Sequence, residues 1–478
     1  MLFNSIDFAV FLPIVFILYW FVFQKRLNLQ NLFILVVSYV FYGWWDWRFL
    51  SLILFSTVVD YVIGLKLHQS SSESHRKTLL WISILINIGF LGFFKYFNFF
   101  QDNFIAAFSL FGHEINGNSL NIILPVGISF YTFQTLSYTI DIYKRKLEPT
   151  RDFIAFAAFV SFFPQLVAGP IERASHLLSQ FYVRRHFDYN RATDGLRQIL
   201  WGLFKKVVIA DNCAEYANMI FNNSNQYGGS TLVLGAILFS FQIYGDFSGY
   251  SDIAIGTSRL FGFDIMRNFA FPYFSRDIAE FWRRWHISLS TWFRDYVYIP
   301  LGGSRGSTYL KIRNTFIIFV VSGFWHGANW TFVAWGALNA LYFLPLLLTQ
   351  SNRQNLEIVA KGDWLPGVKE FFQMGTTFAL TVLAWIFFRA ENITHAFAYL
   401  GEIFSLTIFT IPEVKPYYVV YLVIFFIIIE WMGREHQYAL EKLPESISKP
   451  LRYGFYYLLI ALIFMYGAKE QEFIYFQF

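Results

Sequence analysis

Apolar residues fall in long continuous blocks along this chain, and polar residues are gathered mainly in the short stretches between them. The blocks lie near 7–23, 31–45, 49–65, 79–100, 121–142, 153–169, 196–210, 231–248, 314–348, 371–388, 417–432 and 453–467. Many of them reach the roughly 17 to 25 residues that a helix needs to cross a hydrocarbon core of about 30 Å. The block at 314–348 is long enough for two passes. The pattern therefore predicts an all-α, multi-pass membrane protein with about 11 to 12 membrane segments.

The composition of the chain is typical of a membrane protein. Only 14% of the 478 residues are charged, against about 25% in soluble domains. No stretch has the composition of an inserted soluble domain, so residues 1–478 are expected to form one membrane domain. The net charge of +5 is too small and too dispersed to indicate a nucleic-acid partner. The single Cys213 excludes an intrachain disulfide, and no ligand spacing indicates a metal site.

Basic residues in the loops predict the orientation of the chain, because they are enriched on the cytoplasmic side. Lysine and arginine occur in the loops at 25–26, 66–77 and 144–146. The 101–120 loop has neither, and it carries Glu114 among its acidic residues. The first three loops are therefore expected inside and the fourth outside, which places the N-terminus outside.

The block at 153–169 interrupts this alternation. A full crossing would place the arginine-rich segment 173–197 outside. The block ends in FFPQLVAGP, and Pro164, Gly169 and Pro170 are expected to break any helix there. We therefore predict a re-entrant segment that returns to the cytoplasm, which is tolerated at membrane depth only where protein or a cavity buries it.

Residues 271–313 are too charged for a span and too aromatic for a free loop. On a single helical wheel one face collects Phe281, Trp282, Trp285, Leu289, Trp292, Phe293 and Tyr296. Arg283, Arg284 and Arg294 lie on the remaining faces. The pattern predicts an amphipathic helix at the cytoplasmic interface. His286 falls at the edge of the aromatic face, where its position alone favours an ordinary packing role.

His326 is the one side chain between Arg313 and Arg353 that can carry a charge. Thirteen helical residues beyond Arg313 rise about 20 Å, which is well inside a core of about 30 Å. An ionisable group at that depth is by default a hypothesis for a functional site. The alternative is a structural histidine that is hydrogen-bonded between helices.

Several polar residues near this histidine bear on its chemistry. Asn329 is a plausible partner that orients the imidazole, and flanking glycines allow close approach. Asp246 and Ser248 belong to a small polar motif at 242–252 that could line a cavity, although helix packing is the simpler interpretation for each. Metal binding and proton relay need more ligands or acidic residues than the blocks contain. General-base catalysis needs only one neutral imidazole near a hydroxyl, and burial favours the neutral form.

Two motifs resemble those of a known family. They are FWRRWHISLSTWFRDY at 281–296 and WHGAN at 325–329. Together with LPVGISFYTFQTLSYTIDIY (124–143), FFPQLVAGPIER (162–173) and DFSGYSDIAIG (246–256), they resemble the membrane-bound O-acyltransferase family. The likeness is strongest to the bacterial branch that includes alginate O-acetylation proteins. It covers nearly the whole chain, to the C-terminal FIYFQF.

The resemblance implies a funnelled helical core, with an acyl donor reached from the cytoplasm and an acceptor reached from outside. It implies that His326 is the general base and that His286 positions the donor or assists proton transfer, which reverses the preference for a packing role. Trp325, Asn329, Asp246 and Ser248 are expected near the substrate.

The resemblance also indicates the donor and the partners. No permanently bound cofactor is expected, and acetyl-CoA or another acyl thioester would be the donor. Arg283, Arg284 and Arg294 would attract its phosphates, although anchoring at the membrane surface explains them equally well. The acetyl group would pass across a bacterial inner membrane toward a periplasmic hydrolase-like transferase that modifies an extracellular or cell-wall polysaccharide.

Two other functions stay open from the sequence. One is an acyltransferase of the same family that acts on a lipid or a protein. The other is a non-enzymatic transporter, for which inverted repeats would be typical and none is visible.

Overall fold

A computed structural model describes residues 1–112, 117, 119–167, 169–467, 471 and 473–474. Glu114, Ala168 and the 475–478 end of the C-terminal motif lie outside the described residues. Within those ranges the regular structure is helical throughout and contains no strand. The predicted all-α class is therefore confirmed.

Contacts between Cα atoms divide the chain into two compact units. The first comprises residues 1–192 and 257–266, and the second comprises residues 193–256 and 267–478. The expectation of a single membrane domain stays a prediction.

The helices of the first unit are α1 (Ile6–Ile17), α2 (Leu27–Asp46), α3 (Leu50–Gln69), α4 (Glu73–Leu91), α5 (Phe97–Leu110), α6 (Ile128–Tyr143), α7 (Phe153–Ser161) and α8 (Phe163–Leu166). The helix α9 (Tyr189–Leu203) begins at the end of this unit. The helices that follow are α10 (Asp211–Asn222), α11 (Gly229–Leu260), α12 (Ile278–Arg284), α13 (Ile287–Phe293), α14 (Thr308–His326), α15 (Trp330–Leu348), α16 (Val368–Arg389), α17 (Ile393–Ile403), α18 (Tyr417–Met432), α19 (Leu443–Ser446) and α20 (Lys449–Tyr466).

Short irregular helical turns extend or join these helices. π-helical turns lie at Leu18–Val22, Gly92–Tyr96, Phe204–Ala210 and Arg294–Tyr298. Turns of 3₁₀-helix lie at Trp47–Phe49, Leu178–Tyr182, Ser224–Gln226, Pro272–Phe274 and Leu406–Phe409. None of the π-turns was predicted, because a single inserted residue leaves the apolar pattern almost unchanged.

Five helical stretches are long and apolar enough to cross a membrane. They are Leu27–Gln69, Glu73–Leu110, Gly229–Leu260, Trp330–Leu348 and Val368–Arg389 among the residues that the structure describes. Shorter apolar helices lie at Ile6–Val22, Phe153–Leu166 and Tyr417–Met432. The multi-pass character is thereby supported, whereas the count of about 11 to 12 segments stays a prediction.

The block at 153–169 is interrupted, as its proline and glycine residues indicated. The helix α7 ends at Ser161, the backbone leaves the helical region at Phe162, and α8 has four residues. Nine residues of helix rise about 14 Å, which is half of a hydrocarbon core. The break falls two residues before Pro164, and the return of the chain to the cytoplasm stays a prediction.

The block at 314–348 forms two helices, as its length indicated. Of these two, Trp330–Leu348 is long and apolar enough to cross a membrane, and the pair of passes stays a prediction. The helix α14 ends at His326, residues 327–329 turn, and α15 begins at Trp330. The two helices pack closely, because a methyl group on Gly323 would collide with the carbonyl of Phe332 and approach Gly336. The histidine thus terminates a helix at the tip of a helical hairpin.

The prediction of one amphipathic helix within 271–313 is wrong. The helix α12 ends at Arg284, and α13 begins only at Ile287. Between them His286 has a left-handed backbone with φ of 43°. The helical wheel therefore misplaces every ring beyond this break relative to the rings before it.

Candidate active site

Both motif histidines line one cavity, which lies entirely in the second unit. The cavity has a volume of about 540 Å³. His286 reaches it from the break between α12 and α13, and His326 reaches it from the end of α14. Two histidines that are 40 residues apart in the chain are thus brought together, as the paired motifs implied.

His326 is enclosed by aromatic rings. Its side chain is buried, with 3% of the residue exposed. The centroids of the Trp325, Trp335 and Phe388 rings lie 4.9, 5.2 and 5.4 Å from the centroid of its imidazole. All three rings meet it edge to face, so the imidazole is held in a narrow aromatic cage.

An aromatic ring and an amide flank His286. The Phe247 ring lies 4.6 Å from the imidazole and perpendicular to it. On the other side Nδ1 lies 3.0 Å from Oδ1 of Asn268. Burial lowers the pKa of His286 to about 3, so the ring is neutral at physiological pH.

Trp325 packs against both histidines. Its ring centroid is 6.2 Å from that of His286 and 4.9 Å from that of His326. Trp325 is not among the residues that line the cavity.

Three arginines line the same cavity. Arg283 and Arg294 were predicted, and Arg353 was not. Arg283 donates to the backbone carbonyls of Asn352 and Asn355 at 2.8 Å each. Arg353 follows Asn352 directly in the loop after α15. This loop therefore places a third guanidinium group at the cavity, which the α12–α13 segment also lines.

Arg284 does not line the cavity. Its side chain is buried, and Nη2 lies 2.6 Å from Oε1 of Glu280. Glu280 also accepts from Arg276 Nε at 3.1 Å. The arginine therefore belongs to a buried ion cluster that stabilises α12, and the structure does not bring it to the site.

Asn329 does not orient His326 in the way that was expected. It is the N-cap of α15, where its Oδ1 accepts from the Thr331 N–H at 3.0 Å. Its Nδ2 donates to the carbonyl of Glu391 at 2.8 Å. The Asn329 amide therefore has a structural role, since it caps the N-terminus of α15.

The motif at 242–252 anchors other segments and does not line the cavity. Asp246 lies 2.9 Å from Lys206 Nζ and accepts from the Ile474 N–H at 2.7 Å. Ser248 is buried on the same helix, α11. Lys205 pairs with Asp252 at 2.5 Å. The expectation that Asp246 and Ser248 lie at the substrate is therefore not supported by their positions.

Among the residues that the structure describes, no group of three or more His, Cys, Asp and Glu side chains is placed to hold a metal ion. The residues at the cavity are instead two imidazoles, three guanidinium groups and apolar walls from α13, α14 and α15. Such a combination suits an anionic substrate with an apolar part and a proton transfer at a buried imidazole.

A helical membrane fold with one cavity lined by buried imidazoles and by guanidinium groups is of the kind expected of a membrane-embedded transferase. The model of the membrane-bound O-acyltransferase family matches residues 48–382. The chain therefore belongs to the membrane-bound O-acyltransferase family.

Individual relatives of the chain give a more specific comparison. A probable alginate O-acetylase of Azotobacter vinelandii is 39% identical over 417 residues, which cover 87% of this chain and 80% of that protein. A probable alginate O-acetylase of Pseudomonas aeruginosa is 40% identical, covering 87% of this chain and 77% of the relative. A peptidoglycan O-acetyltransferase of Helicobacter pylori is 35% identical, covering 83% and 78%. The chain is thus a membrane O-acetyltransferase that uses an acyl donor.

Proposed function

We propose that this chain transfers an acetyl group from an acyl thioester toward a polysaccharide of the cell envelope. Acetyl-CoA is the thioester with which the proposal is tested. The observation that carries the proposal is that His286 and His326 line one cavity together with three arginines. The polysaccharide acceptor is supported by the relatives, which are named for alginate and for peptidoglycan.

In this proposal His326 is the general base. Its neutral imidazole takes the proton from an acceptor hydroxyl while the hydroxyl oxygen attacks the thioester carbonyl. The carbon–sulfur bond then breaks, and the thiolate leaves and takes up a proton. The aromatic cage around His326 supports this role, because it keeps bulk water away from the base.

The donor would enter at the arginines. Guanidinium groups bind phosphate oxygens in a planar, two-point geometry, and Arg283, Arg294 and Arg353 line the cavity. By the positive-inside rule, the part of the cavity that these arginines line would face the cytoplasm. In one membrane domain, the acceptor would then be reached from outside a bacterial inner membrane. A periplasmic hydrolase-like partner would complete the transfer to the polymer.

The test compares His326→Ala with His75→Ala, in which an exposed histidine of the first unit is removed. Purified protein is given acetyl-CoA, and free thiol is measured. We expect His326→Ala to abolish thiol release and His75→Ala to leave it unchanged. Unchanged thiol release in both variants would contradict the proposal.

A cellular arm addresses the acceptor. Acetyl content is measured in the polysaccharide, lipid and protein fractions of cells that carry each variant. We expect a loss that is confined to polysaccharide. A loss of acetyl content that is confined to lipid or protein would identify that fraction, and not polysaccharide, as the acceptor. No loss in any fraction would favour transport over acetylation.

A further inference from the structure

Asn268 lies directly behind His286, although 18 residues separate them in the chain. It is fully buried, with 0% of the residue exposed. Its backbone carbonyl accepts from the Ile287 N–H at 2.9 Å, and its Oδ1 lies 3.0 Å from Nδ1 of His286. The segment that contains Asn268 therefore runs along the break between α12 and α13 and supports it.

A backbone donor fixes the orientation of the Asn268 amide. The N–H of Ser288 lies 3.3 Å from Oδ1. Since a backbone N–H can only donate, the atom that faces His286 and Ser288 must be the amide oxygen and not the amide nitrogen. On its far side Nδ2 donates to the hydroxyl of Ser251 at 3.1 Å.

The same oxygen determines which ring nitrogen of His286 carries the proton. An amide oxygen accepts hydrogen bonds and cannot donate them, so the neutral imidazole has its proton on Nδ1 and its lone pair on Nε2. We infer that Asn268 is a positioning residue that holds His286 as the Nδ1-protonated tautomer, with Nε2 as the acceptor for the substrate. The inference rests on the proposed function of the cavity.

This tautomer restricts what His286 does. A neutral ring with its lone pair on Nε2 is neither a counter-ion for phosphate nor a donor to the thioester oxygen. Its partner is an O–H or N–H group of the bound substrate. His286 therefore acts as an acceptor, as a second base or by orienting a donating group, and the left-handed backbone at this residue is what turns the ring toward Asn268.

The first experiment measures acetyl-CoA turnover by purified Asn268→Leu, Asn268→Asp and Ser251→Ala. Leucine has a similar size and no acceptor, so we expect kcat to fall about 10- to 100-fold, as when the group that orients a histidine is removed. The KM for acetyl-CoA should change less than threefold or so. Aspartate keeps an oxygen at the same place and should restore most of kcat. Ser251→Ala leaves Oδ1 and its bonds intact and should resemble the wild type.

A rise in KM at constant kcat, or failure of aspartate to restore activity where leucine abolishes it, would overturn the inference. The second experiment identifies the tautomer directly by ¹⁵N NMR of labelled imidazoles, with His286 assigned by its disappearance in His286→Gln. We expect protonated Nδ1 in the wild type and a mixture in Asn268→Leu. Protonated Nε2 in the wild type would refute the assignment even if Asn268→Leu does not fold.

The two proposals fail in distinguishable ways. If His326→Ala keeps full activity, the general-base role fails, while the tautomer of His286 is still decided by NMR. If His326→Ala is inactive and Asn268→Leu keeps wild-type kcat, the general-base role stands and the positioning role of Asn268 fails.

Discussion

Glu280 allows a direct test of whether the buried Arg284 stabilises the fold. Its carboxylate is 1% exposed and receives Arg284 at 2.6 Å and Arg276 at 3.1 Å. Replacing Glu280→Gln keeps the size and shape of the side chain and removes its charge. Arg284 then loses its carboxylate partner, whereas Arg276 keeps its ion pair with Glu370 at 3.0 Å.

The expected destabilisation follows from this burial. Removing one partner of a buried ion pair costs about 3 to 5 kcal/mol, because the remaining charge is left in a medium of low polarity. For a chain of 478 residues the entropy of unfolding is about 1 kcal/mol per kelvin. We therefore expect Tm to fall by about 3 to 5 °C.

The assay is thermal unfolding of the purified protein in one detergent, followed by tryptophan fluorescence. Lys442→Gln is the matched control, because it breaks a pair with Glu445 at 2.8 Å in which both side chains are largely exposed. Such a pair contributes little, so its Tm should not change measurably. Equal shifts in the two variants, or a Glu280→Gln protein as stable as the wild type, would refute the reasoning.

Two further predictions concern other parts of the structure. In Gly323→Ala the new methyl group would collide with the carbonyl of Phe332, so α14 and α15 must separate; we expect a cost of about 1 to 3 kcal/mol and a parallel loss of activity. Gly375→Ala on α16 is its control, because no atom outside the backbone of its own helix lies within 4 Å of the added methyl group, and its Tm should hold or rise. The hydrogen bond to Glu172 raises the pKa of His176 above 6.5. The contribution of this pair to the stability of the fold is therefore fully present below pH 6.5, and it is lost as pH rises through the raised pKa. His176→Gln should therefore melt below the wild type at about pH 5.5 and match it at about pH 8.5, and a difference that is independent of pH would contradict this.

The sequence predicts the helices well where a long apolar block has clear ends. The hairpin of α14 and α15 is an example, because polar and glycine residues mark its turn at 327–329. The break at His286 is not predictable in the same way. Trp285 and His286 have no glycine or proline beside them, and the partner of His286, Asn268, lies 18 residues away in the chain.

The candidate site was predictable only where a motif carries it. His286 and His326 lie in recognisable segments, and they meet in one cavity. Arg353 and Asn268 lie in stretches without a pattern, and only tertiary packing brings them to the histidines. Arg284 shows the opposite error, because its charge resembles that of Arg283 in the sequence while its partner Glu280 lies one helical turn away.

The aromatic cage around His326 has a consequence for the fate of the donor. A thioester is consumed usefully only if the acceptor hydroxyl reaches it before water does. Because three rings surround the imidazole, the base is shielded from water that would otherwise be activated in place of the acceptor. Under the proposed function the cage thus slows hydrolysis, so that thiol release without an acceptor is slow and transfer to an acceptor hydroxyl is favoured.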